Sequence, residues 1–182
     1  MKKQIFTIVL TFILSAGVVF ADGFTLKSND LSGQLSEKQV FNGLGCEGKN
    51  ISPHLQWANA PKDAKSFAVT VYDPDAPTGS GWWHWLIFDI PVNITSLPAG
   101  AGNPEQHLAP KGSIQSVTDF KATGFGGACP PVGDPPHRYV FTVYALKVEK
   151  LGLDASATPA AVGFYLNQNA IAKASIIAYY GR

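Results

Sequence analysis

The sequence feature that most constrains the fold is a pair of apolar runs, each bordering a proline-framed polar cluster. The run Phe67–Tyr72 leads directly into Asp73–Pro77 (DPDAP), and the cluster Pro136–Tyr139 (PHRY) opens the run Tyr139–Leu146. Both runs are rich in β-branched and aromatic residues, which is typical of strands. The prolines force turns and restrict the backbone around them. The sequence therefore predicts titratable side chains held in place at the ends of buried strands.

Strand composition recurs elsewhere in the chain, and one segment has the start signals of a helix. The further strand candidates are Phe24–Leu26, Trp85–Ile90 and Ser175–Tyr180. The helix is predicted to follow Thr158, a hydroxyl N-cap, with Pro159 at its first position and its end near Asn169. Many strands with one late helix predict a mainly β sandwich, whose long connections leave room for a loop-built pocket at one end.

The first 21 residues have the pattern of a secretory signal peptide. Lys2 and Lys3 precede an apolar stretch that ends in Val19-Phe20-Ala21, so we expect cleavage after Ala21. The alternative is a transmembrane anchor, but the stretch is shorter than the roughly 20 residues that a span needs. We expect residues 22–182 to form a single domain in the periplasm or outside the cell, without stable membrane anchoring.

The charge balance argues against nucleic acid or an anionic membrane as a partner. The whole chain has 14 Lys and Arg against 13 Asp and Glu, a formal net charge of +1. Loss of residues 1–21 removes two lysines and no acidic residue, which changes the net charge to −1. A nearly neutral protein lacks the positive charge that such partners require.

The two cysteines, Cys46 and Cys129, lie in glycine-rich segments. An even count in an exported chain predicts a disulfide, because oxidising compartments allow one to form and persist. The alternative is a pair of free, buried thiols.

The two polar clusters predict one binding pocket. On a strand, His137 and Tyr139 share a face, and Arg138 takes the other. His84 lies among tryptophans, of which we assign Trp83 and Trp85 to the pocket wall. An Asp beside imidazole and phenol groups suits an oxyanion, because the Asp orients the imidazoles and the donors face the anion. Each histidine taken alone is as readily explained as a structural residue.

The motifs of this sequence resemble those of the phosphatidylethanolamine-binding protein family. The resemblance rests on Asp73–Pro77 with the Trp83–Trp85 run, on the segment Gly126–Tyr139, and on an upstream Asn50–Trp57 motif. It spans essentially all of residues 22–182. It is strongest toward the bacterial, Raf-kinase-inhibitor-like branch known as the YbhB/YbcL type.

The resemblance implies a β-sandwich with one or two peripheral helices and a small anion pocket. It implies that the pocket accepts phosphate, a phosphoryl headgroup or another small oxyanion, without a cofactor. Pro77 is expected in the pocket wall, with a cis peptide bond before it. The residues that the resemblance assigns to binding or support are Asp73, Asp75, His84, Gly127, His137, Tyr139 and Tyr179, with Tyr180 as the alternative second phenol.

We therefore expect a non-catalytic binding protein, with two alternatives. The first is an inhibitor or modulator of a protease, a kinase or a host protein, acting through its surface. The second is a hydrolase with a metal held by Asp73, Asp75, His84 and His137, since carboxylates and imidazoles are suitable ligands. The expected metal content is none, because no helix-based ligand pair such as H-E-x-x-H is present.

Overall fold

The computed structural model describes residues 23–182, so the predicted signal peptide lies outside the described residues. This part of the chain is mainly β. Its strands are β1 Thr25–Lys27, β2 Asn42–Gly43, β3 Cys46–Glu47, β4 Leu55–Ala58, β5 Ser66–Asp73, β6 Trp82–Pro91, β7 Ser96–Leu97, β8 Ile114–Gln115, β9 His137–Leu146 and β10 Ala170–Tyr180. A 3-10 helix spans Pro104–Gln106, and the α-helix α1 spans Pro159–Asn169.

The strands form two main sheets. The larger sheet has the strand order β10-β9-β5-β6-β8, and the smaller has the order β1-β4-β7. β2 and β3 pair separately as a short hairpin. Neighbouring strands within all three sheets are antiparallel. The predicted mainly β architecture is therefore confirmed.

The central strands of the larger sheet are covered on both faces, which explains why they are continuously apolar. Val69, Val71 and Phe141 belong to a core between the two sheets. Ala68 and Leu86 face the other way, into a second core that also contains residues of α1. A strand buried on both faces needs apolar residues at successive positions rather than at alternate ones. The two cores therefore follow from the composition of the central strands.

The predicted helix is present with its predicted ends, and all the predicted strands are present with shifted ends. The Thr158 side chain accepts a hydrogen bond from the Ala161 N–H at 3.3 Å, which is the expected N-cap contact. β10 begins at Ala170, five residues before the predicted start. The added segment is rich in alanine, which has a low strand propensity. Its strand conformation depends on pairing with β9 along that strand's length.

A bulge in β6 determines which side chains reach the end of the sheet. Val71 pairs with Trp85, but the next residue of β5, Tyr72, pairs with Trp83. His84 is thus an extra residue in β6. Such a bulge shifts the inward and outward alternation of a strand by one position. As a result Trp83 packs against the second core, whereas Trp85, which keeps the regular pairing with Val71, faces the core between the sheets.

Candidate functional site

A cavity of about 250 Å³ lies at one end of the larger sheet. β5 runs antiparallel to both of its neighbours, so its last residue lies beside the first residues of β6 and β9. This topology brings together the two polar clusters of the sequence. The titratable side chains that line the cavity are Asp73, His84, His137 and Tyr139. The other lining residues are Leu44, Ala76, Pro77, Thr78, Trp82, Phe120, Cys129, Pro130 and Pro131.

Asp73 connects the turn after β5 to the start of β9. Its Oδ1 accepts hydrogen bonds from the N–H groups of Asp75, at 2.8 Å, and Ala76, at 3.1 Å. Its Oδ2 lies 2.7 Å from His137 Nδ1, and both side chains are buried. Because a carboxylate only accepts, the Nδ1 of His137 carries the hydrogen. His137 Nε2 is 3.5 Å from Asp134 Oδ2, in the loop before β9.

His84 is held by a backbone carbonyl on one side and has no partner on the other. Its Nδ1 lies 2.7 Å from the Gly126 carbonyl oxygen, so Nδ1 is the donor. Burial lowers the pKa of His84 below its usual 6.5, against smaller opposing effects from the Gly126 carbonyl and Asp73. The ring is therefore neutral at pH 7, with a lone pair on Nε2. That atom is buried and accepts no hydrogen bond from residues 23–182.

Tyr139 contributes a buried hydroxyl that also lacks a partner within residues 23–182. Its ring packs edge-on against that of His84, with the centroids 5.1 Å apart. Burial, with a smaller contribution from the Asp73 charge, raises the pKa of the phenol above its usual 10. The hydroxyl thus keeps its proton and is available as a donor. Buried polar atoms without partners are rare in folded proteins.

Asp75 and Arg138 lie outside the cavity and bind each other. Arg138 Nη2 donates to Asp75 Oδ1 at 2.7 Å, and Arg138 Nε donates to Asp75 Oδ2 at 2.9 Å. The side-chain hydrogen bonds from Arg138 lower the pKa of Asp75 to about 2, against partial desolvation. The alternation predicted for β9 is thereby confirmed, because Arg138 points away from His137 and Tyr139. Asp75 Oδ2 also accepts a hydrogen bond from the Arg138 backbone N–H at 2.8 Å. Asp75 thereby supports the site by holding the start of β9 in place.

Tyr179 also lies outside the cavity. It is 45% exposed and lines a shallow groove with Asp75 and Arg138, which adjoins the cavity at His137. Its neighbour Tyr180 packs against the core between the sheets. The expectation that Tyr179 lines the cavity is wrong, because pairing with Arg138 places it on the outer face of β10.

Gly127 supports the site without contacting the cavity. Its N–H donates to Asn50 Oδ1 at 2.7 Å, so it is not free for an anion. A Cβ at this position would lie 2.3 Å from the Gln39 carbonyl oxygen. Glycine is required here by close packing of two backbone segments. The carbonyl of the preceding residue, Gly126, accepts the hydrogen bond from His84 Nδ1, and the Gly127 backbone also faces that ring.

The aromatic wall consists of Trp82 and Phe120 rather than Trp83 and Trp85. Trp85 is fully buried, and its Nε1 donates to Gln115 at 2.7 Å. Trp83 packs on Tyr72, with the ring centroids 4.4 Å apart. The predicted assignment is wrong for two reasons: the bulge at His84 turns Trp83 toward the second core, and Trp85 is enclosed within the core between the sheets. No pattern in the sequence marks Phe120, which lies in a loop and packs edge-on against Trp82.

Two further expectations concern the cavity rim. The disulfide between Cys46 and Cys129 is present, with the Cα atoms 6.0 Å apart, and it attaches the hairpin of β2 and β3 to the cavity wall. Pro77 lines the cavity as expected. The cis bond before it is not found, since all peptide bonds of residues 23–182 are trans. The trans form allows a tight turn in which the Thr78 N–H donates to the Ala76 carbonyl at 2.7 Å.

The residues do not form a metal centre in the described part of the chain. No group of three or more His, Cys, Asp or Glu side chains in residues 23–182 is arranged to hold an ion. Asp75 is directed toward Arg138, away from His84. The four-residue ligand set of the hydrolase alternative therefore does not converge.

A larger cavity of about 570 Å³ adjoins the first. The two share Leu44, Trp82 and Phe120. Most of its lining comes from the loop 118–126, with Asn103 and Glu105 opposite. A ligand bound in the smaller cavity thus has space beyond it for an attached group.

In residues 23–182 no helix has the length and hydropathy of a membrane span.

Comparison with known proteins gives consistent matches. The family model described as phosphatidylethanolamine-binding protein matches residues 31–181. The chain is 50% identical over 182 residues to the UPF0098 protein YbcL of Escherichia coli K12, covering 99% of this chain and 98% of that protein. It is 49% identical over 157 residues to YbhB of the same organism, covering 85% of this chain and 98% of YbhB.

Solved structures agree with the sequence matches. The crystal structure of E. coli YbcL, described as a member of the mammalian PEBP family, superposes with a TM-score of 0.86 at 51% identity, covering 88% of this chain and 99% of YbcL. A homologue from Chlamydia trachomatis gives a TM-score of 0.72 at 26% identity, covering 88% and 98%. These matches, the fold and the motifs agree: the chain belongs to the phosphatidylethanolamine-binding protein family.

Proposed function

We propose that this protein binds a small oxyanion or a phosphoryl-bearing ligand in the 250 Å³ cavity and performs no chemistry on it. The observation that carries the proposal is the pair of buried atoms without partners, His84 Nε2 and the Tyr139 hydroxyl. A folded protein rarely leaves such atoms unsatisfied, because each costs about 1–3 kcal/mol. A polar ligand in the cavity would satisfy both. The descriptions of its relatives as phosphatidylethanolamine-binding proteins are consistent with a phosphoryl group.

The cavity lining favours binding over catalysis. Among residues 23–182, the side chains that line it include no serine and no free thiol, and Cys129 is bonded to Cys46. His137 is already paired with Asp73, and His84 with the Gly126 carbonyl. Neither ring makes a hydrogen bond to the hydroxyl of Thr78 or Tyr139, so neither forms a base–nucleophile pair of the usual kind. The arrangement suits recognition of a ligand that stays intact.

We also place the protein outside the cytoplasm. The leader pattern of residues 1–21 supports export, and so does the disulfide between Cys46 and Cys129, because disulfides persist in oxidising compartments.

Calorimetric titration with inorganic phosphate and with phosphoethanolamine tests the binding proposal. We expect His137→Ala and Asp73→Asn each to weaken binding by at least about tenfold, the loss that follows when one buried hydrogen bond is removed. His107→Asn is the matched control, because His107 is exposed and its φ of 51° is one that asparagine tolerates. Unchanged binding in both site variants would show that the cavity is not the binding site.

An interaction with a protein partner is a second candidate function. Two apolar side chains at the cavity rim are unusually exposed: Leu44, at 71%, and Val132, at 77%. Leu44 lines both cavities, and Val132 follows the lining residue Pro131. A protein partner bound at this rim would be lost on Leu44→Ser with Val132→Ser and retained on His137→Ala. The opposite pattern would assign the interaction to the cavity.

A further inference from the structure

We infer that the cavity selects oxyanions that carry a proton, such as dihydrogen phosphate or a singly protonated phosphomonoester, over anions of the same shape without one, such as sulfate. This inference rests on the proposed binding function and specifies its ligand class. It follows from the donor and acceptor pattern of the lining and from the charges around it.

The structure fixes His84 as an acceptor. The Gly126 carbonyl can only accept a hydrogen bond, so the ring hydrogen resides on Nδ1, 2.7 Å from that oxygen. The buried Nε2 then presents a lone pair. A ligand atom that satisfies it must carry a hydrogen, because two acceptors in contact repel each other. A fully deprotonated oxyanion has no such hydrogen.

Tyr139 provides the complementary donor. Its hydroxyl is buried, keeps its proton and donates to no atom of residues 23–182. The rings of Tyr139 and His84 pack edge-on with their centroids 5.1 Å apart, so one small ligand can contact both the Tyr139 hydroxyl and His84 Nε2. The ligand must therefore offer an acceptor and a donor on neighbouring atoms. A P–OH group beside a charged P–O⁻ oxygen has both, whereas sulfate has only acceptors.

The charges around the cavity also favour a ligand of low charge. Among residues 23–182, no lysine or arginine lines it. The guanidinium of Arg138 is bound to Asp75 outside, and that of Arg182 to the carbonyls of Pro130 and Gly45 behind the wall. Asp73 contributes a buried carboxylate. Burial of a dianion here would be expensive without fixed positive charge, and one proton on the ligand halves its charge.

The other titratable groups near His84 leave its Nε2 as an acceptor. Asp73 faces it from β5, and its carboxylate is already bound to His137 and two backbone N–H groups. Asp119, in the loop before β9, accepts the N–H of Trp83 at 2.8 Å. From β9 come His137 and Tyr139, and beyond His137 lies Asp134. Neither Asp73 nor Asp119 makes a hydrogen bond to Nε2 that would hold a proton there.

Titration of the purified protein with sulfate and with inorganic phosphate, at about pH 5.5 and at about pH 8, tests this inference. Phosphate keeps one proton at the higher pH and gains a second at the lower, which halves its charge, whereas sulfate carries no proton at either pH. We expect phosphate to bind at least about tenfold more tightly than sulfate at the lower pH, with this preference shrinking at the higher pH. His84→Gln should reduce the preference, since an amide both donates and accepts.

The outcomes separate this inference from the proposed function. Equal affinity for the two anions at both pH values, or sulfate affinity that rises in parallel with phosphate affinity as the pH falls, would overturn the inference and leave the anion site standing. The parallel rise would mean that a histidine of the cavity, His84 or His137, and not the ligand, takes up the proton. Binding of neither anion under any condition would overturn the proposed function itself. The comparison on the unmodified protein decides the matter if the His84 variant does not fold.

Discussion

Asp73 and His137 lie 64 positions apart in the sequence, yet Asp73 Oδ2 and His137 Nδ1 are 2.7 Å apart in the fold. The contact arises because β5 and β9 pair antiparallel as far as Tyr72 and Val140, so that the last residue of β5 lies beside the first residues of β9. The same carboxylate also holds the N–H groups of the turn that follows β5. One side chain thus determines both the shape of the turn and the orientation of an imidazole.

Replacement of Asp73 should reveal both roles. Asp73→Ala removes the acceptor of two backbone N–H groups and of His137 Nδ1, and we expect it to lower the free energy of unfolding by about 3 kcal/mol. Asp73→Asn retains an acceptor oxygen and should cost less. Urea unfolding of the three proteins measures the difference. Equal losses in the two variants would contradict the importance of the backbone hydrogen bonds.

His84 should make the stability depend on pH. Burial lowers its pKa in the folded protein below the usual 6.5. As the pH falls below about 6.5, the unfolded chain therefore takes up a proton that folded His84 does not, and the protein loses stability. Above about pH 6.5 the His84 ring is neutral in both the folded and the unfolded state, so its titration no longer changes the stability. Urea unfolding between about pH 7.5 and about pH 5 should show a smaller decrease for His84→Gln than for the unmodified protein.

The pairing of Asp75 with Arg138 predicts an acid-range effect. Because Arg138 lowers the pKa of Asp75 from 3.8 to about 2, the stabilisation is present above about pH 3.8 and lost as the pH falls through about 2. Arg138→Gln should return the Asp75 pKa toward 3.8, as measured by carboxyl ¹³C shifts. Lys111→Gln removes a charge from an exposed residue elsewhere and should leave that pKa unchanged. A similar change in both variants would indicate general charge rather than the direct pair.

The disulfide should contribute substantially to stability. It joins residues 83 positions apart, and a cross-link of this span constrains the unfolded chain by about 4 kcal/mol in the chain-entropy model. We expect reductant to lower the free energy of unfolding by a similar amount. The double variant Cys46→Ser with Cys129→Ser should show the lower stability without reductant and no response to it. A response of the double variant would mean that reductant acts by another route.

Two glycines provide a matched test of backbone packing. At Gly127 an added Cβ would lie 2.3 Å from the Gln39 carbonyl oxygen and 2.6 Å from the Phe41 nitrogen, so Gly127→Ala should destabilise the fold by about 2 kcal/mol or more. At Gly163, inside α1, nothing lies within 4 Å of the added atom. Gly163→Ala should stabilise the protein by about 1 kcal/mol. Thermal unfolding of both variants measures the contrast, and stabilisation of both would contradict the close packing at Gly127.

The fold could be predicted where local signals agree with the tertiary environment. The cap at Thr158 and Pro159 satisfies backbone groups within a few residues, and α1 begins where that pattern places it. The apolar composition of β5 and β9 anticipated central strands, because only a position covered on both faces accommodates it. The start of β10 at Ala170 was not predictable in this way, since small residues become a strand there by pairing with β9.

The candidate site, like the fold, could be predicted from the sequence only in part. Alternation along β9 placed His137 and Tyr139 together and Arg138 opposite, because successive strand residues face opposite ways. The prediction for the tryptophans was wrong because it rested on their position next to His84 in the sequence. The extra residue His84 turns Trp83 away from the cavity, and Trp85 is enclosed in the core. Phe120 was missed because a loop residue reaches the cavity through the path of the chain, which leaves no periodic signal.

The sequence by itself determined the strands, the helix, the two polar clusters and the face that His137 and Tyr139 share. These follow from local composition and from the period of two along a strand. The tertiary structure decided that Asp73 reaches His137, that Asp75 turns to Arg138 instead, and that Gly126 orients His84. Those outcomes depend on cross-strand register and on one bulge, and both are properties of paired strands rather than of either strand alone.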